Sequence, residues 1–202
     1  MNYLVGAGGH GLVVLEVLIQ QGITVDAFID NTDKPEKVRG VPCRPQDQAI
    51  ILETDRILIS IGSNTARREL AATHRGSFLT AIHPASTIDN TADIGEGSVV
   101  MAGVVVNACV SIGRHVIINT GAVIEHESII EDYVHVSPNA TLCGNVYVGE
   151  GSHVGAGAVV IDKIKIGRGC VIGAGSVVIR DVPEYTMVVG NPARFIRELP
   201  HF

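Results

Sequence analysis

The chain has 202 residues, room for one or two domains with a sizeable core. Only 4% of residues are aromatic and there is no Trp, which suits an interior of Ile and Val rather than rings. A net charge of −6 without a basic run argues against nucleic acid as a partner, and no apolar run reaches membrane-spanning length. Cys43, Cys109, Cys143 and Cys170 form no C-x-x-C pair and read as reduced thiols of a cytoplasmic protein. The start of the chain has no basic n-region, so no signal peptide is expected.

In chain order, Asn2 to Val5 reads as a strand, Leu12 to Gln21 as a helix with its apolar face at Val13, Val14, Val17 and Leu18, and Thr24 to Ile29 as a second strand ending at Asp30-Asn31. Between strand and helix lies Gly6-Ala7-Gly8-Gly9-His10-Gly11, a G-x-G-x-x-G loop. Such glycines let phosphates approach the backbone and a helix N-terminus, and Asp30 stands where a ribose- or base-binding acid would sit. The same loop could be a tight strand–helix turn that binds nothing. The α/β part is too short for a full dinucleotide fold, so one nucleotide is the better ligand and NAD the weaker one.

A strand near Val41 to Arg44 is followed by a helix from Gln46, a strand from Arg56 to Ile61, the turn Gly62-Ser63-Asn64, a helix from Thr65 to His74 and a strand from Phe78 to Ile82. Residues 1–83 therefore form a small Rossmann-like α/β domain.

From Ile88 to Val178 every sixth residue is Ile, Val or Leu, sixteen times without a slip. Two places earlier stands Ser, Ala, Val, Ile or Cys each time, and Gly recurs three places later, as at Gly97, Gly121 and Gly157. A period of six is neither helical nor simple alternation; it marks a parallel β-helix of hexapeptide repeats. Three units close a triangular coil of about eighteen residues, and coils stack roughly 4.8 Å apart. Residues 84–180 form this β-solenoid and 181–202 a C-terminal cap folding back over the last coil, since solenoid ends need covering.

The repeat also serves as a ruler. His126 falls on a corner, in the column Asn90, Ala108, His126, Gly144, Asp162 and Arg180, and is flanked by Glu125 and Glu127. A His beside carboxylates on a turn suits a general base, although a solvated surface His has the same appearance. Asn119 lies near the start of the same coil. His135 and His153 stack one coil apart at an outward phase, which raises the question of a metal, but no third ligand is evident. Cys143, beside Gly144, is the nearest thiol; Cys170 sits at a small inward position and reads as packing.

Gly6 to Gly11, Asp30-Asn31, Ile61-Gly62-Ser63-Asn64, Asn119 to Glu127, Val134-His135-Val136, Gly144-Asn145 and Val189-Gly190-Asn191-Pro192-Ala193 together resemble the left-handed β-helix sugar acetyltransferases of the PglD type. This group includes GDP-perosamine N-acetyltransferases and NeuD-type sialic-acid O-acetyltransferases. The left hand comes from the resemblance; general crossover rules favour the right.

The resemblance implies a homotrimer with sites between prisms, acetyl-CoA as co-substrate, a nucleotide-activated amino sugar as acceptor, and no metal. His126 would be the base, Glu127 its orienter, and Asn119 a holder of substrate or base. His135, Gly144, Gly155, Gly173 and Ala174 would contact acetyl-CoA. Gly8, Gly9, His10, Asp30, Asn31, Ile61 and Gly62 would hold the nucleotide end. The favoured activity is N-acetylation of a UDP-, GDP- or dTDP-linked 4-amino-deoxy sugar. The alternatives are sialic-acid-type O-acetylation, a non-catalytic β-helix scaffold and a zinc hydratase.

Overall fold

The computed structural model describes residues 1–31, 35–74 and 76–201. The first layer is α/β: β1 (Asn2–Val5), α1 (Gly9–Gln20), β2 (Ala27–Asp30), β3 (Lys37–Val38), β4 (Val41–Pro45), β5 (Arg56–Ile59), α2 (Asn64–Thr73) and β6 (Ser77–Phe78). The sheet order is β3-β4-β2-β1-β5-β6, parallel apart from the β3–β4 hairpin. In this register Val5 lies between Ile29 and Ile59. The loops that leave β1, β2 and β5 therefore open side by side at the carboxyl edge, where open α/β sheets bind ligands.

Some boundaries differ from those expected. α1 begins at Gly9, inside the glycine loop, with Gly8 as an extended N-cap. Glycine is an accepted N-cap residue, so the loop runs into the helix without a side-chain cap. The buried face of α1 is Gly11, Val14, Leu15, Val17 and Leu18, and Val13 faces solvent. The helix expected from Gln46 is absent; the chain turns there, with the Gln46 N–H bonded to the Asp30 carbonyl. Six residues after Pro45 are too few to offset helix nucleation. Ala49 and Ile51 instead pack on the sheet cluster of Tyr3, Val5, Ile29 and Ile57.

The second layer is the solenoid, and it starts earlier than residue 84. Ala81–Ile82 already pairs with Val99–Val100. Two-residue strands recur every six residues and distribute over three faces. The first face stacks Ala81–Ile82, Val99–Val100, Ile117–Ile118, His135–Val136, His153–Val154 and Val171–Ile172; the second runs from Thr87–Ile88 to Val177–Val178; the third from Asp93–Ile94 to Lys165–Ile166. The register Val99, Ile117, His135, His153, Val171 is the expected eighteen-residue coil. Every inward residue from Val100 to Val178 is at most 1% exposed, while Ile88 and Ile94, at the first end, are half-buried.

Each corner from Gly97 to Gly175 turns through one left-handed residue, three places after the inward position. Glycine adopts that conformation without steric cost, and it fills half of these places. Cys109, His115, Glu127, Tyr133, Asn139, Asn145 and Lys163 fill the others.

The tail continues the solenoid rather than lying across its end. Val182 bridges to Ile166 on the third face, Thr186–Val189 adds to the first, and Arg194–Glu198 returns antiparallel beside it. Phe202, the last residue of the expected cap, lies outside the described residues. The α/β layer rests on the first face. There Val99 and Ile117, outward in phase, are buried.

Candidate active site

Two clusters form, on different parts of the prism. The first sits at the corner between the second and third faces. Val123–Ile124 ends the strand before it, and the next turn carries His126 and Glu127. The His126 Nδ1 lies 3.1 Å from the Glu127 Oε2, so the carboxylate accepts from Nδ1–H and leaves Nε2 as the basic atom. Both side chains are open to solvent, at 58% and 62% exposure. Glu127 occupies the left-handed position, with φ of 59°. Gly144, one coil on, lies directly under the imidazole: a Cβ there would stand 2.7 Å from the His126 Cε1 and Nε2. The Gly144 N–H donates to the Asp162 Oδ1 at 3.0 Å, so this donor is engaged. The thiol of Cys143 is pushed up by burial and by the nearby Asp162 and Glu125 carboxylates, which disfavours the thiolate a nucleophile needs.

The second cluster lies where the α/β layer meets the first face. Of the loop glycines, Gly6 and Gly11 are fixed by packing: a Cβ on Gly11 would collide with the Gly6 carbonyl oxygen, and one on Gly6 would stand 2.6 Å from Ile61. Around Gly8 and Gly9 there is open space. α1 has no side-chain cap and no acid in its first turn, so its N–H groups and dipole face that space, an arrangement suited to phosphate. Asp30 stands beside this loop as expected. Its Oδ2 accepts from the Ala7 N–H and its Oδ1 from the Asn31 N–H, each at 2.6 Å, so it braces the loop.

His10, in the first turn of α1, reaches over the junction to 6.5 Å from the His135 ring centroid. Although outward in phase, His135 is covered by the α/β layer and is not the open groove residue expected from the repeat. Its Nε2 lies 3.1 Å from the Asn119 Nδ2, and its ring also bonds the Gly62 carbonyl. Nδ1 therefore carries the proton toward Gly62, and Nε2 accepts from Asn119. His153 stacks on His135 at 4.8 Å and meets the Ser137 Oγ at 2.7 Å, the same pairing one coil further on. Desolvation lowers the pKa of His135 to about 3, with His153, Arg67 and His10 adding repulsion. It lowers His10 to about 4, with Arg67 adding to the effect. Among the described residues no group of three or more His, Cys, Asp or Glu could hold a metal ion.

Asn119 follows a first-face strand and His126 a second-face strand, so they occupy different corners with the second face between them. A single chain does not bring them together. Gly155 and Gly173 stack in the Asn119 column. A Cβ on Gly155 would stand 2.6 Å from the Ala174 nitrogen, and one on Gly173 2.6 Å from Val189, so coil packing alone demands both glycines.

Comparison with known proteins matches both layers of the chain. Residues 3–73 match the PglD N-terminal domain, and residues 127–162 match the bacterial transferase hexapeptide (six repeats). Perosamine N-acetyltransferase from Caulobacter crescentus, solved as a single-site variant with CoA and GDP-perosamine, is 36% identical over 98% of this chain and 97% of that one, with a TM-score of 0.90. The acetyltransferase domain of PglB from Neisseria gonorrhoeae, solved with acetyl coenzyme A, is 36% identical over 96% and 98%, with a TM-score of 0.88. The chain belongs to the PglD-type family of left-handed β-helix sugar acetyltransferases. UDP-N-acetylbacillosamine N-acetyltransferase from Bacillus subtilis is 42% identical over 108 residues, covering 49% of this chain and 50% of that protein. The chain thus spans about half the length of the curated relative it matches.

The sequence singles out neither Arg67 nor His115, and Asn64 enters only as part of the Ile61-Gly62-Ser63-Asn64 turn. Arg67 sits on a helix face where any long polar side chain would pass for solvated. His115 occupies one of the left-handed corner positions, half of which hold residues other than Gly, so its place in the repeat gives no signal of its own. It is buried between Phe78, edge-on at 4.4 Å, and Tyr133, stacked at 5.2 Å.

Proposed function

We propose that this chain is an acetyl-CoA-dependent N-acetyltransferase acting on the amine of a nucleotide-linked 4-amino-deoxy sugar. The observation that carries the reading is His126 on an exposed corner, its Nδ1 held by Glu127 and its Nε2 free above Gly144. Relatives solved with CoA and GDP-perosamine support the substrate classes.

In the reaction the neutral amine attacks the thioester carbonyl carbon. The C–N bond forms, the carbonyl oxygen takes the negative charge, and the His126 Nε2 removes the ammonium proton. Collapse breaks the C–S bond and releases CoA, which takes a proton, together with the amide. Glu127 holds the imidazole tautomer and stabilises its charged form. The Gly144 N–H, bonded to Asp162 in the free chain, would donate to the oxyanion when the thioester displaces that carboxylate. His135, Gly155, Gly173 and Ala174 would line the CoA side, and Asn119, bonded to His135, would help hold substrate or base. Gly8, Gly9, His10, Asp30, Asn31, Ile61 and Gly62 would hold the nucleotide, its diphosphate at the start of α1.

A homotrimer fits this reading. The second face, between the Asn119 and His126 corners, presents Thr87, Val105, Val123, Thr141, Val159 and Val177 outward. Packing this mainly apolar face against another prism would set one chain's His126 beside a neighbour's Asn119. Four cysteines that read as reduced thiols, and the use of acetyl-CoA, support a cytoplasmic location. Among the described residues no helix is long and apolar enough to cross a membrane.

The test is release of free CoA from acetyl-CoA with a panel of UDP-, GDP- and dTDP-linked 4-amino sugars, with sialic acid as the hydroxyl control. Turnover of an amino sugar that falls by at least about 10²-fold in His126→Ala is expected. Turnover of sialic acid alone would replace the reading with O-acetylation.

A further inference from the structure

Arg67 is the largest fully buried side chain in the described structure, 1% exposed, and it plays no part in the chemistry above. Its Nε donates to the His115 carbonyl at 3.1 Å. Its Nη1 donates to the Ile61 and Gly62 carbonyls at 3.1 and 3.0 Å. Its Nη2 donates to the Asn64 Oδ1 at 2.9 Å, to the Tyr133 carbonyl at 3.0 Å and, at 3.5 Å, to that of Val134. Every acceptor is neutral. No carboxylate among the described residues forms an ion pair with it. A buried, unpaired charge is costly, and a hydrophobic contact could join two layers more cheaply. The planar five-donor fork does what an apolar side chain cannot: it fixes several backbone oxygens at once.

The oxygens it gathers belong to three segments. Ile61 and Gly62 form the loop after β5, read above as part of the nucleotide subsite. His115 lies on one coil, and Tyr133 and Val134 lie on the next. The Gly62 carbonyl also accepts from the His135 ring, whose other nitrogen meets Asn119. One backbone oxygen thus joins the α/β loop to the coil residue that is bonded to Asn119. Asn64 adds a second tie, donating to the Gly151 and Ser152 carbonyls at 2.9 and 3.1 Å.

We propose that Arg67, seconded by Asn64, is a positioning residue for the transfer reaction. It sets the Ile61–Gly62 loop, and with it the nucleotide end of the acceptor, at one fixed distance from the coils that carry the acetyl-transfer groups. The proposal rests on reading that loop as the nucleotide subsite. A nucleotide sugar is bound at one end and reacts at the other. A shift of about 1 Å between the two ends costs on the order of 10²-fold in rate.

The test uses the full chain with Arg67→Lys and Asn64→Ala. Steady-state kinetics are measured for the nucleotide sugar, and CoA binding is measured by calorimetry. Lysine keeps the charge but cannot span the three segments. The expected result for Arg67→Lys is a loss of about 10²-fold in kcat/KM for the nucleotide-linked sugar, with the CoA Kd within about threefold of wild type. Asn64→Ala leaves Arg67 five of its six acceptors, and a smaller loss of the same selectivity is expected. If Arg67→Lys does not fold, Asn64→Ala alone decides. Wild-type kcat/KM in the variant that folds, or parallel loss of CoA and nucleotide-sugar function, would overturn the proposal. Failure of the underlying reading looks different: wild-type protein would then show no heat of binding with UDP, GDP or dTDP.

Discussion

Replacing Glu127 by Gly separates what the turn wants from what the chemistry wants. Every corner of this solenoid needs one left-handed residue, and at His126 the chain places Glu127 there with φ of 59°. That conformation costs a non-glycine residue about 1–2 kcal/mol, and glycine's greater unfolded-state freedom returns roughly 0.5–1 kcal/mol of the gain. The exposed His126–Glu127 pair contributes little, about 0.2–1 kcal/mol. Glu127→Gly should therefore change stability by no more than about 1 kcal/mol in either direction. The same substitution removes the acceptor that fixes the His126 tautomer, and kcat should fall about 10- to 100-fold, or roughly 1.4–2.7 kcal/mol of barrier. Glu127→Gln is the control: it keeps the left-handed side chain, so it should lose activity with no gain in stability. Urea denaturation and acetyl-transfer kinetics on the three proteins read both quantities. A Gly variant that is clearly less stable refutes the corner argument. One that keeps full kcat refutes the orienting role.

Gly144→Ala tests the contact from the other side. The backbone at 144 is not left-handed, so Ala fits the fold, but its Cβ falls 2.7 Å from the His126 ring. The ring can swing outward at small cost, so melting should change little while kcat/KM drops by about 10-fold or more; full activity would mean that the base does not work in this position. Acid should unfold the protein through its buried imidazoles. The pKa values of His10 and His115 are lowered to about 4 and that of His135 to about 3, so these rings stay neutral in the fold while the unfolded chain protonates near 6.5. The unfolded state binds more protons across this window, so stability holds above about pH 6.5 and is lost progressively as the pH falls toward 4. Urea midpoints measured from pH 7 to 4 should fall steadily, and a flat profile would contradict the burial of these rings.

The solenoid was legible because its interior is one-dimensional. A single phase decides burial at every coil, so Ile124 and Val136 could be assigned inward and His126 to a corner from spacing alone. The α/β layer was less so. Val13 looked like part of the buried face because it is apolar, yet Leu15 takes that place. The stretch from Gln46 to Ile51 has helical composition but too few residues to hold a helix without packing. What no periodicity could reveal was the meeting of the two layers, since each residue there obeys the rules of its own layer. His135 keeps an outward phase on the prism and is nevertheless covered, because the loops at the carboxyl edge of β1 and β5 fold down on it.

The repeat ruler places Asn119 and His126 within one coil, and the folded prism sets them on different corners. Seven residues carry the chain from the end of one face past the next, and in a triangular section that distance turns the side chains apart. A solenoid can hold a base rigidly on its rim, but its convex cross-section cannot bring residues on different corners to bear on one substrate. A concave site needs a second surface. Here that surface can be another prism on the second face, or the α/β layer on the first. The clusters divide accordingly: His126 waits on an open corner, while His135 is already covered by a loop that Arg67 holds in place.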